Sequence, residues 1–392
     1  MVKYLGAIVA LALLGSCVVI PDRAFDQRRY LGQGEHDPSI YSGPPNGTFL
    51  PVFTLESHRN VRGRIVSLLL VEFIDDPRYY MLELQEAVDG QHTGMIALLY
   101  HHANASVDVY FTPGLQVDRS SYTALLNDVS FIEAEFDATL ALTDTGLSAD
   151  LTLVDRFGDL VTLSIREGSS RASEKPNGLL APIASGSDSP DRFPFIYLKR
   201  FTLIPIRGSL IDLRIGGRRQ RIDTIPAIVN GRRVYNAKYS FENVMIDWNL
   251  DRHESVTPLP YVPRVSESVT ADGTMRVLND NHGYPEVERI VRFVGDNAFV
   301  LIFSPSFPDV TALADRVTVD GRFSVQVDQN EGILGGWYRV TQQRDVTLIE
   351  LGIEKGWQPM PGALWMNGYR WTALIERSPD SSHLTTSWRN ER

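Results

Sequence analysis

Two pairs of adjacent arginines carry the clearest chemistry in this chain. Arg218-Arg219 follow Gly216-Gly217, and Arg232-Arg233 follow Asn230-Gly231. Glycine pairs and Asn-Gly between short apolar runs are two-residue hairpin turns. Leu210 to Ile215 is therefore expected to turn back on Arg221-Ile222, and Ile228-Val229 on Val234-Tyr235. Each arginine pair then sits at an exposed hairpin end, where its planar fork suits phosphate or carboxylate. Between Arg192 and Lys238 eleven basic residues face only Asp212 and Asp223, a local charge of +9 in a chain whose total is −10. The simpler alternative is solvated turn charge.

Tryptophans form a second candidate set. Trp337, Trp357, Trp365 and Trp371 fall within 35 residues and account for four of the six in the chain. An indole offers a broad apolar face and an N–H donor, which suits a sugar ring or an acyl chain. Core packing of a β domain is the competing account.

Other constellations are weaker. His101-His102 would point to opposite faces of a strand, so the two cannot share one metal without a bulge. Asp75-Asp76 before Pro77 fits a strand-ending turn, and Glu133, Glu135, Glu286 and Glu288 cannot be paired from sequence. Asn279 to Gly283 places Leu278 at the first ligand position of a calcium loop, so a turn of left-handed-tolerant residues is the better reading. No nucleophile elbow, zincin helix, P-loop or dinucleotide fingerprint is present. No cofactor or metal is expected. Cys17 is the only cysteine, which rules out an intrachain disulfide and a cysteine-ligated zinc site.

The elements that must position these residues read as strands. Ile65 to Ile74, Tyr79 to Val88, Gly94 to Tyr100 and Val107 to Phe111 are apolar runs bounded by turn residues. From Glu135 to Ile165, apolar and polar residues alternate between the turns Asp144-Thr145-Gly146 and Arg156-Phe157-Gly158-Asp159, the mark of an antiparallel meander. A similar series runs from Val287 to Ile375, with turns expected at Asp320-Gly321 and Asn367-Gly368. Short helices are expected only at Ser120 to Asp128 and Pro305 to Ala314. The class is all-β, as two antiparallel β-sandwich or barrel (lipocalin-like) domains. The expected boundaries are a leader over 1–16, a flexible tether over 17–51, and an N-terminal β domain over 52–167. A low-complexity linker over 168–191, a C-terminal β domain over 192–377 and a disordered tail over 378–392 follow.

The leader has its own anatomy. Lys3 precedes an apolar run from Leu5 to Leu14, and Gly15-Ser16 precede Cys17. The run is shorter than the roughly 20 residues that span a bilayer, and it reads as a secretory signal. Leu14-Gly15-Ser16-Cys17 resembles the lipobox of bacterial lipoproteins. That resemblance implies a diacylglyceryl group on the Cys17 thiol, cleavage before it and acylation of the new N-terminus. It places the protein in the cell envelope, lipid-anchored. Val18, where an aspartate often marks inner-membrane retention, leans toward the outer membrane facing the periplasm. Loss of Lys3 takes the net charge to −11, and an acidic exported protein is no general nucleic-acid binder.

Two successive β domains of this size also resemble the paired lipocalin-like domains of carotenoid hydratase-like proteins, although no motif carries the likeness and no residue is transferred from it. Three readings stand at this point: an envelope lipoprotein binding an amphiphilic or anionic molecule (lipid or glycan), an exported enzyme acting on carbohydrate or lipid between two β domains, and an envelope scaffold.

Overall fold

The computed structural model describes residues 34–57, 64–90, 92–102, 106–123, 126, 128–168, 180–182, 189–199, 202–229, 231–261, 267–269, 274–294, 297–327, 334–355, 368–378 and 381–391. Cys17, Trp357 and Trp365 lie outside them, as does most of the expected linker.

The fold is all-β, built of antiparallel sheets. An eight-stranded sheet runs in the order Thr202–Pro205, Arg232–Ser240, Arg64–Glu72, Tyr79–Asp89, His92–His101, Ser106–Phe111 and Asp128–Glu133, with Thr224–Val229 also paired to Arg232–Ser240. Ser106–Phe111 and Asp128–Glu133 run parallel, because the chain crosses over through a single helical turn at Arg119–Thr123. Facing it is a five-stranded sheet, Arg218–Arg219, Leu210–Ile215, Leu160–Arg166, Gly146–Val154 and Asp137–Thr143. The period-2 alternation turns Leu147, Ala149, Leu151, Leu153, Val161, Leu163 and Ile165 inward against Leu69, Val71, Leu82, Leu84 and Leu99. The two sheets thus close one sandwich core.

The second core belongs to a ten-stranded sheet. It is a meander from Glu267–Val269 to Ser381–Asn390, with His253–Val256 added beside the last strand. Flat, ten strands would span about 43 Å. The edge strands are joined by only the ten residues 257–266, whose reach is at most roughly 39 Å, so the sheet must curl. Phe299, Leu301, Phe303, Phe323, Tyr338, Leu351 and Trp371 line its inner face. A four-stranded sheet (Leu180–Pro182, Phe193–Lys199, Glu242–Trp248 and Leu55–Ser57) fills the concavity with Phe193, Tyr197, Ile246 and Trp248. Its other face sends Leu198 and Met245 to the back of the eight-stranded sheet.

Several expectations are corrected. Residues 378–392 do not fray: Ser381–Asn390 is a full strand with Leu384 and Trp388 buried. Only two strongly apolar residues on one face, with Thr386 between them, hid the alternation. In the expected tether, 34–51 is docked. Tyr41 bridges Leu313 and stacks on Tyr284 at 4.1 Å, and Phe49 and Leu50 are buried. The expected boundary at 168–191 is not where the hydrogen bonding changes partners, since Leu210–Ile215 pairs with Leu160–Arg166 and Arg232–Ser240 with Arg64–Glu72. Low complexity there marks a connection, not the end of a sheet. Asp320-Gly321 is no turn but lies inside the strand Thr318–Val327, where a side chain on Gly321 would collide with the buried Tyr338 ring. Pro305 to Ala314 holds turns rather than a helix.

Candidate functional site

Three turns that the sequence marks converge at one end of the sandwich. Asp76, in the turn after Arg64–Glu72, accepts the backbone N–H groups of Arg78 and Tyr79 at 2.9 and 3.0 Å. Asp155 closes the Gly146–Val154 hairpin by accepting from the amides of Phe157 and Asp159, both at 2.9 Å. Gly216-Gly217 take φ of +56° and +77°, the double left-handed conformation of a type I′ turn. A side chain on Gly216 would press on Asp159.

Between these turns lies a buried polar network. Arg78 bridges Asp155 at 3.3 Å and Asp159 at 2.7 Å. The Tyr79 hydroxyl donates to Asp155 Oδ2 at 3.2 Å. Asp108 takes Arg156 on Oδ1 at 3.0 Å and His101 Nε2 on Oδ2 at 2.8 Å. Both oxygens of Asp108 and of Asp155 are therefore occupied. Burial, with the carboxylates around it, pushes the Tyr79 hydroxyl well up, and burial pushes Tyr110 up to about 12. With both oxygens of Asp108 and Asp155 engaged, the network ties the turns together. His102 leaves it for the Asp76 carbonyl at 3.1 Å. The adjacent histidines thus serve different partners.

Beside this network opens a shallow groove between the two sheets, lined by Asp75, Ile211, Arg219, Gln220, Arg221, Ile222 and Tyr235. The short strand Arg218–Arg219 pairs back on Arg214 and Ile215, three residues earlier than the Arg221-Ile222 pairing expected from sequence. Ile222 instead bridges to Phe73 of the eight-stranded sheet. Arg221 pairs with Asp75 at 3.3 Å, and Asp212 holds Arg214 at 3.1 Å and Arg219 at 3.2 Å. Gln220 is buried, whereas Arg219 and Arg221 on either side of it in the chain are exposed. Its Nε2 donates to the Arg218 carbonyl at 3.0 Å, while Oε1 has no hydrogen-bond partner. A buried, unsatisfied acceptor costs roughly 1–3 kcal/mol.

The sequence-selected residues are thus distributed. Arg218, Arg219 and Arg233 are exposed and Arg232 is half-buried. Arg232 and Arg233 belong to the eight-stranded sheet and are not in the groove lining, where Arg219 is joined by Arg221. The +9 stretch is tempered, because Arg192, Arg214, Arg219, Arg221 and Lys238 all meet carboxylates. Trp371 is wholly buried against Phe53 and Trp388, so it packs the core and offers no ligand face. Trp337 lies half-buried over Gly352, with the Arg339 and Arg370 guanidiniums 6.0 and 5.5 Å from its ring. Gln220 and Tyr235 were not singled out from sequence. A lone glutamine and a strand tyrosine carry no spacing signal. No helix among the described residues is long and apolar enough to cross a membrane. No protein-family model matches this chain, and no curated protein matches it either.

Proposed function

We propose that this chain is a lipid-anchored, non-catalytic envelope protein that holds an anionic, hydroxyl-bearing molecule in the groove between the two sheets. The observation that carries the reading is the unpartnered Gln220 Oε1 in the wall of a groove that Arg219 and Arg221 also line. It calls for a donor such as a sugar or glycerol hydroxyl. The two guanidiniums suit a carboxylate or phosphate. Their present partners Asp75 and Asp212 form surface pairs that are worth little individually, so an incoming anion displaces them at small cost. Ile211, Ile222 and Tyr235 supply an apolar wall for the ring or chain that bears the anion. Acidic glycans and anionic lipid headgroups share this chemistry.

The test titrates detergent-solubilised protein with oligogalacturonate and, separately, with glycerol phosphate, at low and high salt. Salt-sensitive binding of one probe, weakened about tenfold or more in Arg219→Ala/Arg221→Ala and in Gln220→Leu, is expected. The probe that binds identifies the source as glycan or headgroup. Equal binding by wild type and both variants would sink the groove. The anchor is tested apart: Cys17→Ser is expected to abolish acylation and leader cleavage, read by intact mass. A Cys17→Ser protein processed like wild type would sink the lipobox reading.

A further inference from the structure

We propose a divalent-metal site on the outer face of the ten-stranded sheet, formed by His253 and His383 and selective for nitrogen-preferring ions such as Cu(II) and Zn(II). The two histidines lie on adjacent antiparallel strands. His253 pairs with Thr385, and Ser255 with His383, so the imidazoles are diagonal neighbours on one face. His253 Nδ1 stands 3.4 Å from His383 Nε2, with the rings at 82° and their centroids 4.5 Å apart. Two imidazoles on a tetrahedral ion at 2.0–2.1 Å have nitrogens about 3.3–3.4 Å apart. The spacing is the bite of a metal chelate.

The local hydrogen bonding points the same way. His253 Nδ1 lies 2.9 Å from Thr385 Oγ1 as well as 3.4 Å from the second imidazole. One ring nitrogen has one lone pair or one N–H, so it cannot serve both partners fully. A cation would take the lone pairs of both nitrogens after a small turn about χ2, leaving the Thr385 hydroxyl to bond a metal-bound water. Among the described residues no three His, Cys, Asp or Glu side chains already converge on one point, so water completes the shell. Glu376, directly opposite His383 on the same face, is the carboxylate within cross-strand reach. Imidazole ligation favours copper, zinc and nickel over magnesium or calcium.

The site would staple an edge. His253–Val256 is an outermost strand and the first to follow the crossing from Trp248 of the four-stranded sheet. An ion bound across it and Ser381–Asn390 binds only the paired register, and so favours the folded edge. Protons compete with the ion for both imidazoles, so occupancy falls in acid.

The experiment adds Cu(II) to the full-length protein at pH 7.5 and at pH 5.5, with affinity from titration and coordinated nitrogens counted from EPR hyperfine structure. One equivalent with at least two imidazole nitrogens is expected at pH 7.5 and its loss at pH 5.5. His253→Gln and His383→Gln should each weaken binding at least tenfold and remove a coordinated nitrogen, while His92→Gln leaves both unchanged. Zn(II) should raise Tm in wild type and not in His253→Gln/His383→Gln. Copper binding unaltered in that double variant, or no binding by wild type below 100 µM, would overturn the site.

Discussion

Two buried carboxylate clusters, one in each core, solve the same problem in opposite ways. In the sandwich, Asp108 and Asp155 have both oxygens engaged by arginine, histidine, tyrosine or backbone N–H. In the ten-stranded body, Glu286 collects the Tyr41 hydroxyl at 2.7 Å and the Asn281 amide at 2.8 Å, both on Oε1. Asp309 likewise takes the Thr311 amide at 2.9 Å and its hydroxyl at 2.6 Å, both on Oδ1. Glu286 Oε2 and Asp309 Oδ2 are buried without hydrogen-bonded partners. Burial raises both groups, Asp309 to about 6, and outweighs the donors that pull the other way, including the His36 amide near Glu286. A buried carboxyl with only one oxygen satisfied holds its proton to higher pH than a free one. The first cluster is thus a network of ion pairs and the second a pair of half-satisfied carboxyls.

The largest expected effect breaks the ion network. Asp108→Ala leaves the buried His101 without its partner and the 38%-exposed Arg156 without its counter-charge, and should destabilise the protein by about 1–3 kcal/mol. Denaturant unfolding measures it. A loss below about 1 kcal/mol would show that the network is hydrated and that the contrast is false.

Asp309 tests the other half. Its folded pKa of about 6 lies above the ordinary value of 3.8. The folded state therefore binds more protons than the unfolded state between those values, and stability falls as pH rises through that window. The shift corresponds to roughly 3 kcal/mol at full ionisation. Asp309→Asn copies the neutral acid, although its amide leaves one donor unpaired, so a gain of about 1–2 kcal/mol at pH 7.5 is expected. At pH 4 the variant should gain nothing. Unfolding free energies across pH 4–8 decide, and an unchanged pH slope would mean that Asp309 ionises freely. Tyr41→Phe, next in size, removes the hydroxyl that serves Glu286 and should cost about 1–2 kcal/mol, measured by the same unfolding curves.

The clusters also differ in how far the chain betrays them. The turns at the sandwich end are legible, since Asp75-Asp76-Pro77 and Arg156-Phe157-Gly158-Asp159 announce themselves by local chemistry, whereas Asp108 lies within the strand Ser106–Phe111 and carries no such signal. Most strands are legible by alternation for the same reason, which is that period and turns are local. The Glu286 and Asp309 cluster is not, since Tyr41 sits in a glycine- and proline-rich stretch that looks like a tether, more than 240 residues from Glu286. The turn at Asn279 to Gly283 is the exception, with His282 and Gly283 in the left-handed region as its composition implies. The groove is half legible. The arginines stand out by charge and Asp212 is counted beside them, but Asp75, which holds Arg221, comes from the turn after Arg64–Glu72, 146 residues away. Local charge counts cannot see that pairing.

The smallest expected stability effect concerns that groove, and it is informative because it is small. Arg219 and Arg221 are 61% and 69% exposed in their side chains, and exposed pairs contribute about 0–1 kcal/mol. Arg219→Ala/Arg221→Ala should therefore shift Tm by only a degree or two, in contrast to Asp108→Ala, which removes one member of a pair whose carboxylate is buried. Removing the two cations leaves Asp75 without Arg221 and Asp212 with Arg214 alone, so the rim becomes more negative and should repel the anions that wild type attracts. That repulsion is strongest at low salt, where the screening length is long. Stability nearly unchanged together with anion binding lost at low salt is the signature of a surface arranged for a ligand. A loss of several kcal/mol would instead make these arginines part of the same structural ion network as Arg78 and Arg156, and the distinction between anchored turns and an exchangeable rim would disappear.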